Sequence, residues 1–166
     1  SSSDPVSVDT VNPGVSVSDD QDGIAFDGAN SVTYTLSFSE PVQSVTETDL
    51  TVTGATINSV AHTAGSKTAT VTVTVDQDSV ADVSITAKPS ITDMAGNPMV
   101  AAVSNDTQPV DTRNPTATIS SEIKDQNKDG TKDVSSDADP VVEYTVDFSE
   151  PVSGIDASDI DVAGGA

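Results

Sequence analysis

The sequence predicts an all-β protein built of β-sandwich modules in tandem, and three observations carry that prediction. Apolar residues alternate with Ser and Thr over short segments, as at Val32, Tyr34 and Leu36, which is typical of strands with one buried face. Turn signals separate these segments at intervals of roughly 8–12 residues, as in a sandwich. Finally, the phrase Val-Asp-Thr at residues 8–10 recurs at residues 110–112, a period of about 100 residues that indicates a repeated module.

Seven strands are expected in the first copy, over residues 14–18, 31–38, 49–54, 55–62, 68–75, 82–88 and 99–104. The first begins after Pro13, and the second is marked by its alternating apolar side chains. The third and fourth are rich in Val and Thr, and the fourth is expected to be C′-type, extending the sheet of the strand before it. The turn at Gly65-Ser66 precedes the fifth strand, alternation marks the fifth and sixth, and Gly96-Asn97-Pro98 turns the chain into the seventh.

A second repeated phrase fixes the expected domain boundaries. Phe-Ser-Glu-Pro-Val at residues 38–42 recurs at residues 148–152. We therefore expect residues 1–7 to end a preceding linker, 8–109 to form a complete module and 110–166 to form the first half of a second, with 105–114 as the linker between copies. A half module cannot close its own core, so we expect it to be completed by further sequence or, as an alternative, by another chain.

The net charge of −21 narrows the classes of partner. Nucleic-acid binding and docking on anionic membranes both need a basic surface. The chain has no cysteine and no apolar run of 18 residues that predicts membrane insertion. So many acids destabilise a compact state unless cations neutralise them; the alternatives are a divalent-cation protein and one whose acids only keep it soluble.

Three phrases resemble the bacterial immunoglobulin-like repeats of large secreted adhesins, RTX-type proteins often exported by type I secretion. They are Phe-Ser-Glu-Pro-Val, Val-Asp-Thr-x-x-Pro and Thr92-Asp93-Met94-Ala95-Gly96-Asn97. The resemblance implies a non-enzymatic extender on the bacterial surface or in the extracellular medium, stiffened by Ca²⁺, with neighbouring repeats as its partners. The adhesive target is not implied.

On an immunoglobulin-like sandwich, the acidic residues map to the two ends. Asp9, Glu40 and Asp93 are expected to converge where the chain enters the first copy. The loop acids expected at the opposite end, facing the second copy, are Asp19, Asp20, Asp22, Asp76 and Asp78, joined there by Asp111 and Glu150. Grouped carboxylates repel one another without a cation, and irregular oxygen-lined loops suit Ca²⁺ better than Mg²⁺ or Zn²⁺. The alternative is that some of these acids only solvate loop tips.

A second candidate Ca²⁺ site is the D-x-N-x-D-G-x-x-D stretch of copy two. Its expected ligands are Asp125, Asn127, Asp129, Thr131 and Asp133. Gly130 permits a sharp turn, and the spacing is close to the Ca²⁺-loop pattern. Ser136 stands where an EF-hand has Glu, and no helices flank the loop, so it is not an EF-hand. A solvated polar hairpin is the alternative.

Catalytic candidates are few. His62 is the only histidine and lies in a strand region, and the Ser and Thr residues lack a partner pattern for nucleophilic catalysis. Glu47 and Asp49 could form a carboxylate pair, but strand and loop geometry favours surface roles. Nothing near Lys67 or Lys88 supports an isopeptide bond. A ligand-binding module and an accessory domain of a secreted enzyme remain as alternative functions.

Overall fold

The structure is a computed structural model that describes residues 7–104, 107–123 and 142–163. The chain divides into two compact units, Ser1–Arg113 and Asn114–Ala166, and each is described by itself.

The first unit is a sandwich of two antiparallel sheets. Its strands are β1 (Val15–Asp19), β2 (Ser31–Phe38), β3 (Leu50–Thr53), β4 (Ala55–Ala61), β5 (Thr68–Val75), β6 (Ser84–Ala87) and β7 (Val103–Ser104). One sheet has the order β1-β2-β5-β4 and the other the order β3-β6-β7. This is the four-plus-three arrangement of a constant-type immunoglobulin sandwich, and the all-β prediction is confirmed.

The core follows from the period-two pattern of the strands. In β2, Val32, Tyr34 and Leu36 are fully buried, and the alternate residues of β5 are buried opposite them. Ile85 of β6 faces them from the second sheet. Burying an aliphatic or aromatic side chain contributes about 1.5–3 kcal/mol, so two facing rows of such residues hold the sheets together without a disulfide.

Two strands differ from the sequence prediction. The C′-type assignment of the fourth strand is wrong: β4 pairs with β5, at the edge of the four-stranded sheet, because the chain changes sheets at Gly54, whose φ is +73°. The β4 register shifts between Ile57 and Ser59. β7 spans only two residues because Met99 instead donates its N–H to the Ile91 carbonyl within the preceding loop.

Part of the segment expected to be a linker packs on the first unit. Val83 and Gln108 exchange backbone hydrogen bonds of 2.9 Å, so the chain beyond β7 still pairs with the start of β6. Val110 and Thr112 are then buried against the first unit. The division between the two compact units falls after Arg113, and the module bounds of 1–7, 8–109 and 110–166 stay a prediction.

The described part of the second unit has elements of the same kinds as the start of the first. Strand β8 (Ala117–Ile123) pairs with β9 (Val142–Phe148), and a 3₁₀ turn at Ala157–Asp159 corresponds to the one at Glu47–Asp49. Tyr144 is 57% exposed, whereas its counterpart Tyr34 is fully buried. Within the described residues of this unit, the apolar face of β9 therefore has no second sheet over it.

Candidate metal centre

Two loops at one end of the first unit are held together by backbone pairing. The loop after β2 carries Glu40, and the loop between β6 and β7 carries Asp93. Val42 and Asp93 form an antiparallel bridge, and the Gln43 N–H donates to the Thr92 carbonyl at 2.9 Å. This pairing brings two acids that are distant in sequence to the same end of the sandwich.

The Asp93 side chain is the most enclosed of these acids, with 1% of its surface exposed. Its Oδ1 accepts the N–H groups of Ala95 and Asn97, each at 2.8 Å, and its Oδ2 accepts Asn97 Nδ2 at 2.7 Å. Burial raises the pKa of Asp93, but these hydrogen bonds outweigh burial and hold the pKa below its ordinary value of 3.8. The carboxylate is therefore built to remain ionised.

Asn97 and Asn12 fasten the incoming chain to the same loop. Asn97 Nδ2 also donates to the backbone carbonyl of Asp9 at 3.1 Å, and Asn12 Nδ2 donates to the Pro98 carbonyl at 2.7 Å. The Asp9 Oδ1 atom accepts the Val11 N–H at 3.0 Å. Sequence reasoning placed Asn97 in a turn but gave neither asparagine a role at the site, although both lie inside the repeated or family-like phrases.

Asp9, Glu40 and Asp93, hereafter the acid cluster, meet at this end. Each offers a carboxylate oxygen, and the three oxygens lie within 4.8 Å of one another. Two oxygens bound to one Ca²⁺ at 2.3–2.6 Å can be separated by no more than roughly 4.6–5.2 Å. The spacing therefore fits a single ion, and the predicted convergence of these three residues is found.

The Glu40 carboxylate is the least well compensated member of the acid cluster. Its Oε1 atom is buried and has no hydrogen-bond partner among the described residues. Burial raises the pKa of Glu40 above its ordinary value of 4.5, and the carboxylates of Asp9 and Asp93 raise it further, against a smaller lowering effect of Lys67. A buried oxygen without a donor, beside two other carboxylates, fits a hard divalent cation.

The acids expected at the opposite end are not gathered in the same way. Among the described residues, the acid cluster is the one group of three or more such ligands within 4.8 Å. Asp19 Oδ1 accepts the Gln21 N–H of the following loop, and Asp20 Oδ1 accepts the Thr33 N–H of β2. The remaining acids of this set, which form no chelating group there, are Asp22, Asp76, Asp78 and Asp111. Ca²⁺ binding at that end stays a prediction.

The second unit contains one predicted ligand within its described residues. Glu150 Oε1 is buried and, like Glu40 Oε1, lacks a partner in that part of the chain. Its local frame is also repeated: Ser149 and Thr116 exchange hydrogen bonds as Ser39 and Gly14 do. The predicted Ca²⁺ loop with Asp125, Asn127, Asp129, Thr131 and Asp133 lies outside the described residues.

The residues weighed for catalysis have structural roles. His62 Nδ1 accepts the Val45 N–H at 3.2 Å, and the imidazole packs edge-to-face against Phe38. Asp49 accepts Ser90 Oγ at 2.7 Å and the Thr46 N–H at 3.0 Å. These contacts fix the loops between strands.

The lysines considered for a covalent cross-link also have backbone partners. Lys67 Nζ donates to the Ser39 carbonyl at 3.0 Å, and Lys88 Nζ donates to the Thr48 carbonyl at 2.9 Å. Each lysine therefore secures a neighbouring loop through a hydrogen bond.

The order of the strands in the two sheets defines an immunoglobulin-like β-sandwich module. A family profile described as "Bacterial Ig-like domain" matches residues 9–109, more than half of the chain, and the chain belongs to that family. No curated protein and no solved structure gives a significant match. Among the described residues, no helix has the length and apolarity to cross a bilayer.

Proposed function

We propose that this segment is a structural extender of a bacterial adhesin that is secreted or held at the cell surface, and that Ca²⁺ stiffens it. One observation carries the proposal: the acid cluster joins a carboxylate of the incoming chain to carboxylates of two loops of the module, with their oxygens within 4.8 Å. A bound Ca²⁺ would supply the positive charge that these side chains lack, and their carboxylate oxygens would supply part of its coordination shell.

The positions of the three acids explain how a bound Ca²⁺ would limit bending. Asp9 lies in the segment ahead of β1, whereas Glu40 and Asp93 belong to the body of the sandwich. Asn97 already ties the Asp9 carbonyl to the loop of Asp93. Holding the Asp9 carboxylate as well would fix that segment at its backbone and its side chain, so that it could not swing freely relative to the module.

The overall charge supports the same function. A net charge of −21 produces strong self-repulsion, which divalent cations relieve where carboxylates are closest. The phrases that hold Asp9 and Glu40 recur around Asp111 and Glu150. The chain thus repeats two of the three elements of the acid cluster, as expected if neighbouring repeats are its partners and each junction is stiffened similarly.

Calcium titration of matched variants tests the proposal. Free Ca²⁺ at 100 times its dissociation constant should stabilise the fold by about 2.7 kcal/mol, measured as a rise in Tm, with binding measured by calorimetry. Glu40→Gln should weaken binding strongly and remove that rise. Glu47→Gln is the control because it makes the same change of charge at an exposed residue outside the acid cluster.

A spin label on Ser7→Cys, the one cysteine of that variant, then tests the stiffening itself with and without chelator. We expect EDTA to increase the mobility of the label in the otherwise wild-type chain, and we expect Glu40→Gln to show the increased mobility in both conditions. Equal Ca²⁺ affinity in the wild type and Glu40→Gln, or a Tm indifferent to EDTA, would refute the proposed role of the acid cluster.

A further inference from the structure

The second copy of the Val-Asp-Thr phrase, at residues 110–112, is an integral part of the first unit. Val110 is 5% exposed and belongs to the hydrophobic core, and it forms a parallel bridge with Ala25. The Ala25 N–H donates to the Pro109 carbonyl at 2.9 Å, and the Asp111 N–H donates to the Ala25 carbonyl at 2.8 Å. The valine thereby closes the core at the end opposite the acid cluster.

Thr112 completes this attachment through its hydroxyl group. The side chain is 2% exposed; its Oγ1 donates to the Asp76 carbonyl at 2.7 Å and accepts the Ser79 N–H at 3.0 Å. The Thr112 N–H donates to the Ser79 carbonyl at 2.9 Å. The surface that receives Val110 and Thr112, formed by Ala25 and residues 76–79, is called the closing groove below.

The first copy of the phrase, at residues 8–10, has the same side chains in a different environment. Val8 is 74% exposed and Thr10 is exposed, whereas Asp9 belongs to the acid cluster. The following residues match as well, since Asn-Pro ends both stretches and a single position differs, Val11 against Arg113. One copy of the phrase is thus seen filling a groove, and the other presents the same valine and threonine to solvent.

We propose that Val8 and Thr10 are docking residues for the closing groove of another copy of this module, placed immediately before them in the chain. The phrase then serves two modules at once: its Val and Thr complete the module before it, and its Asp contributes to the acid cluster of the module after it. A hydroxyl that both donates and accepts is what the Asp76 carbonyl and the Ser79 N–H require, and Thr10 supplies it.

This inference rests on the tandem arrangement within the proposed function, but it is independent of Ca²⁺. The groove contacts use a valine side chain, a threonine hydroxyl and backbone groups, and no carboxylate takes part. Docking should therefore persist in EDTA, so that a failure of docking and a failure of calcium binding are distinguishable.

The test is a chain extended at its N-terminus. A second copy of residues 7–109 replaces residues 1–7 of the chain, so that Val8 directly follows Pro109 of the added copy. In EDTA, the added copy should fold, and the Thr10 amide should exchange at least about tenfold more slowly than in the unextended chain. Thr10→Val should lower the Tm of the added copy by about 8–12 °C and leave the unextended chain unchanged.

A matched extension supplies the control. Here the added copy runs from residue 7 to 113, carries its own Val110 and Thr112, and is joined to residue 7 by a Gly-Ser linker. Thr10→Val should have no effect on either copy in this chain. If the added copy lacking residues 110–113 fails to fold, or if it is indifferent to Thr10→Val and leaves the Thr10 amide unprotected, the proposal is overturned.

Discussion

Replacing Thr112 by valine tests the role of the phrase within the first unit. Valine has nearly the same shape as threonine, so the change removes the hydroxyl without opening a cavity. The Oγ1 atom makes two short hydrogen bonds, to the Asp76 carbonyl at 2.7 Å and from the Ser79 N–H at 3.0 Å. Both are lost in Thr112→Val, while the backbone bond from Thr112 to Ser79 can remain.

The magnitude follows from these two bonds. A neutral hydrogen bond contributes about 0.5–1.5 kcal/mol net, so the loss of both costs about 2 kcal/mol. For a unit of this size, that loss lowers Tm by about 8–12 °C. The burial of Thr112, with 2% of its surface exposed, limits how well water can replace the missing hydroxyl.

Thermal unfolding followed through the amide signals of β5 monitors the first unit separately from the second. Thr10→Val is the matched control, since it makes the same chemical change at the same position of the exposed copy of the phrase. We expect this control to lie within about 0.5 kcal/mol of wild type. Equal effects of the two substitutions would show that residues 110–112 are a passive linker, contrary to our interpretation.

Two further outcomes follow from the structure. In chelator, the raised pKa of Glu40 means that its ionised form destabilises the fold. This loss of folding free energy is complete above the pKa of Glu40 in the folded state. It decreases as the pH falls toward 4.5 and disappears below that value. The Tm advantage of Glu40→Gln over wild type at neutral pH should shrink accordingly, and a pH-independent difference would contradict the cause assigned. Gly54→Ala should cost at least about 1 kcal/mol more than Gly65→Ala in urea unfolding, because both glycines have positive φ but a Cβ at Gly54 would lie 2.8 Å from the Asp82 carbonyl oxygen, whereas nothing lies within 4 Å at Gly65.

The strands could be predicted from the sequence because their information is local. Alternation in residues 31–38 and 68–75 specifies which side chains face the core, and the structure has strands at those ranges. The sheet to which a strand belongs is not local information. The fourth strand pairs with β5 because of the change of sheet at Gly54, and no periodicity within 55–62 reports that change.

The residues of the candidate site could likewise be predicted only in part. Asp9, Glu40 and Asp93 could be grouped from the sandwich topology alone, since three connections of known order meet at one end. The geometry of the other end depends on what each carboxylate accepts locally, as Asp20 does from the Thr33 N–H. Assigning each acid to a loop and to one end of the sandwich does not reveal which backbone N–H groups its carboxylate accepts.

The burial of Thr112 was also not predicted from the sequence. A proline-flanked polar stretch between two repeats reads as a linker, yet its threonine is among the few buried polar residues of the described chain. The usable signal was the repetition of Val-Asp-Thr itself, since a free linker has no reason to keep a valine and a threonine around its aspartate.

The register shift in β4 has a consequence for a chain in which two segments share repeated phrases. Linked copies are present at a high effective concentration relative to each other, and an open strand edge on one can pair with the edge of another during folding, which produces misassembled repeats. β4 lies at the edge of its sheet, and its register on β5 is interrupted between Ile57 and Ser59. Asn58, at the interruption, turns its amide to Thr74 Oγ1 at 2.6 Å within its own sheet. The interruption makes β4 a less regular edge for a neighbouring strand to pair with, which is one of the ways in which proteins disfavour edge-to-edge pairing.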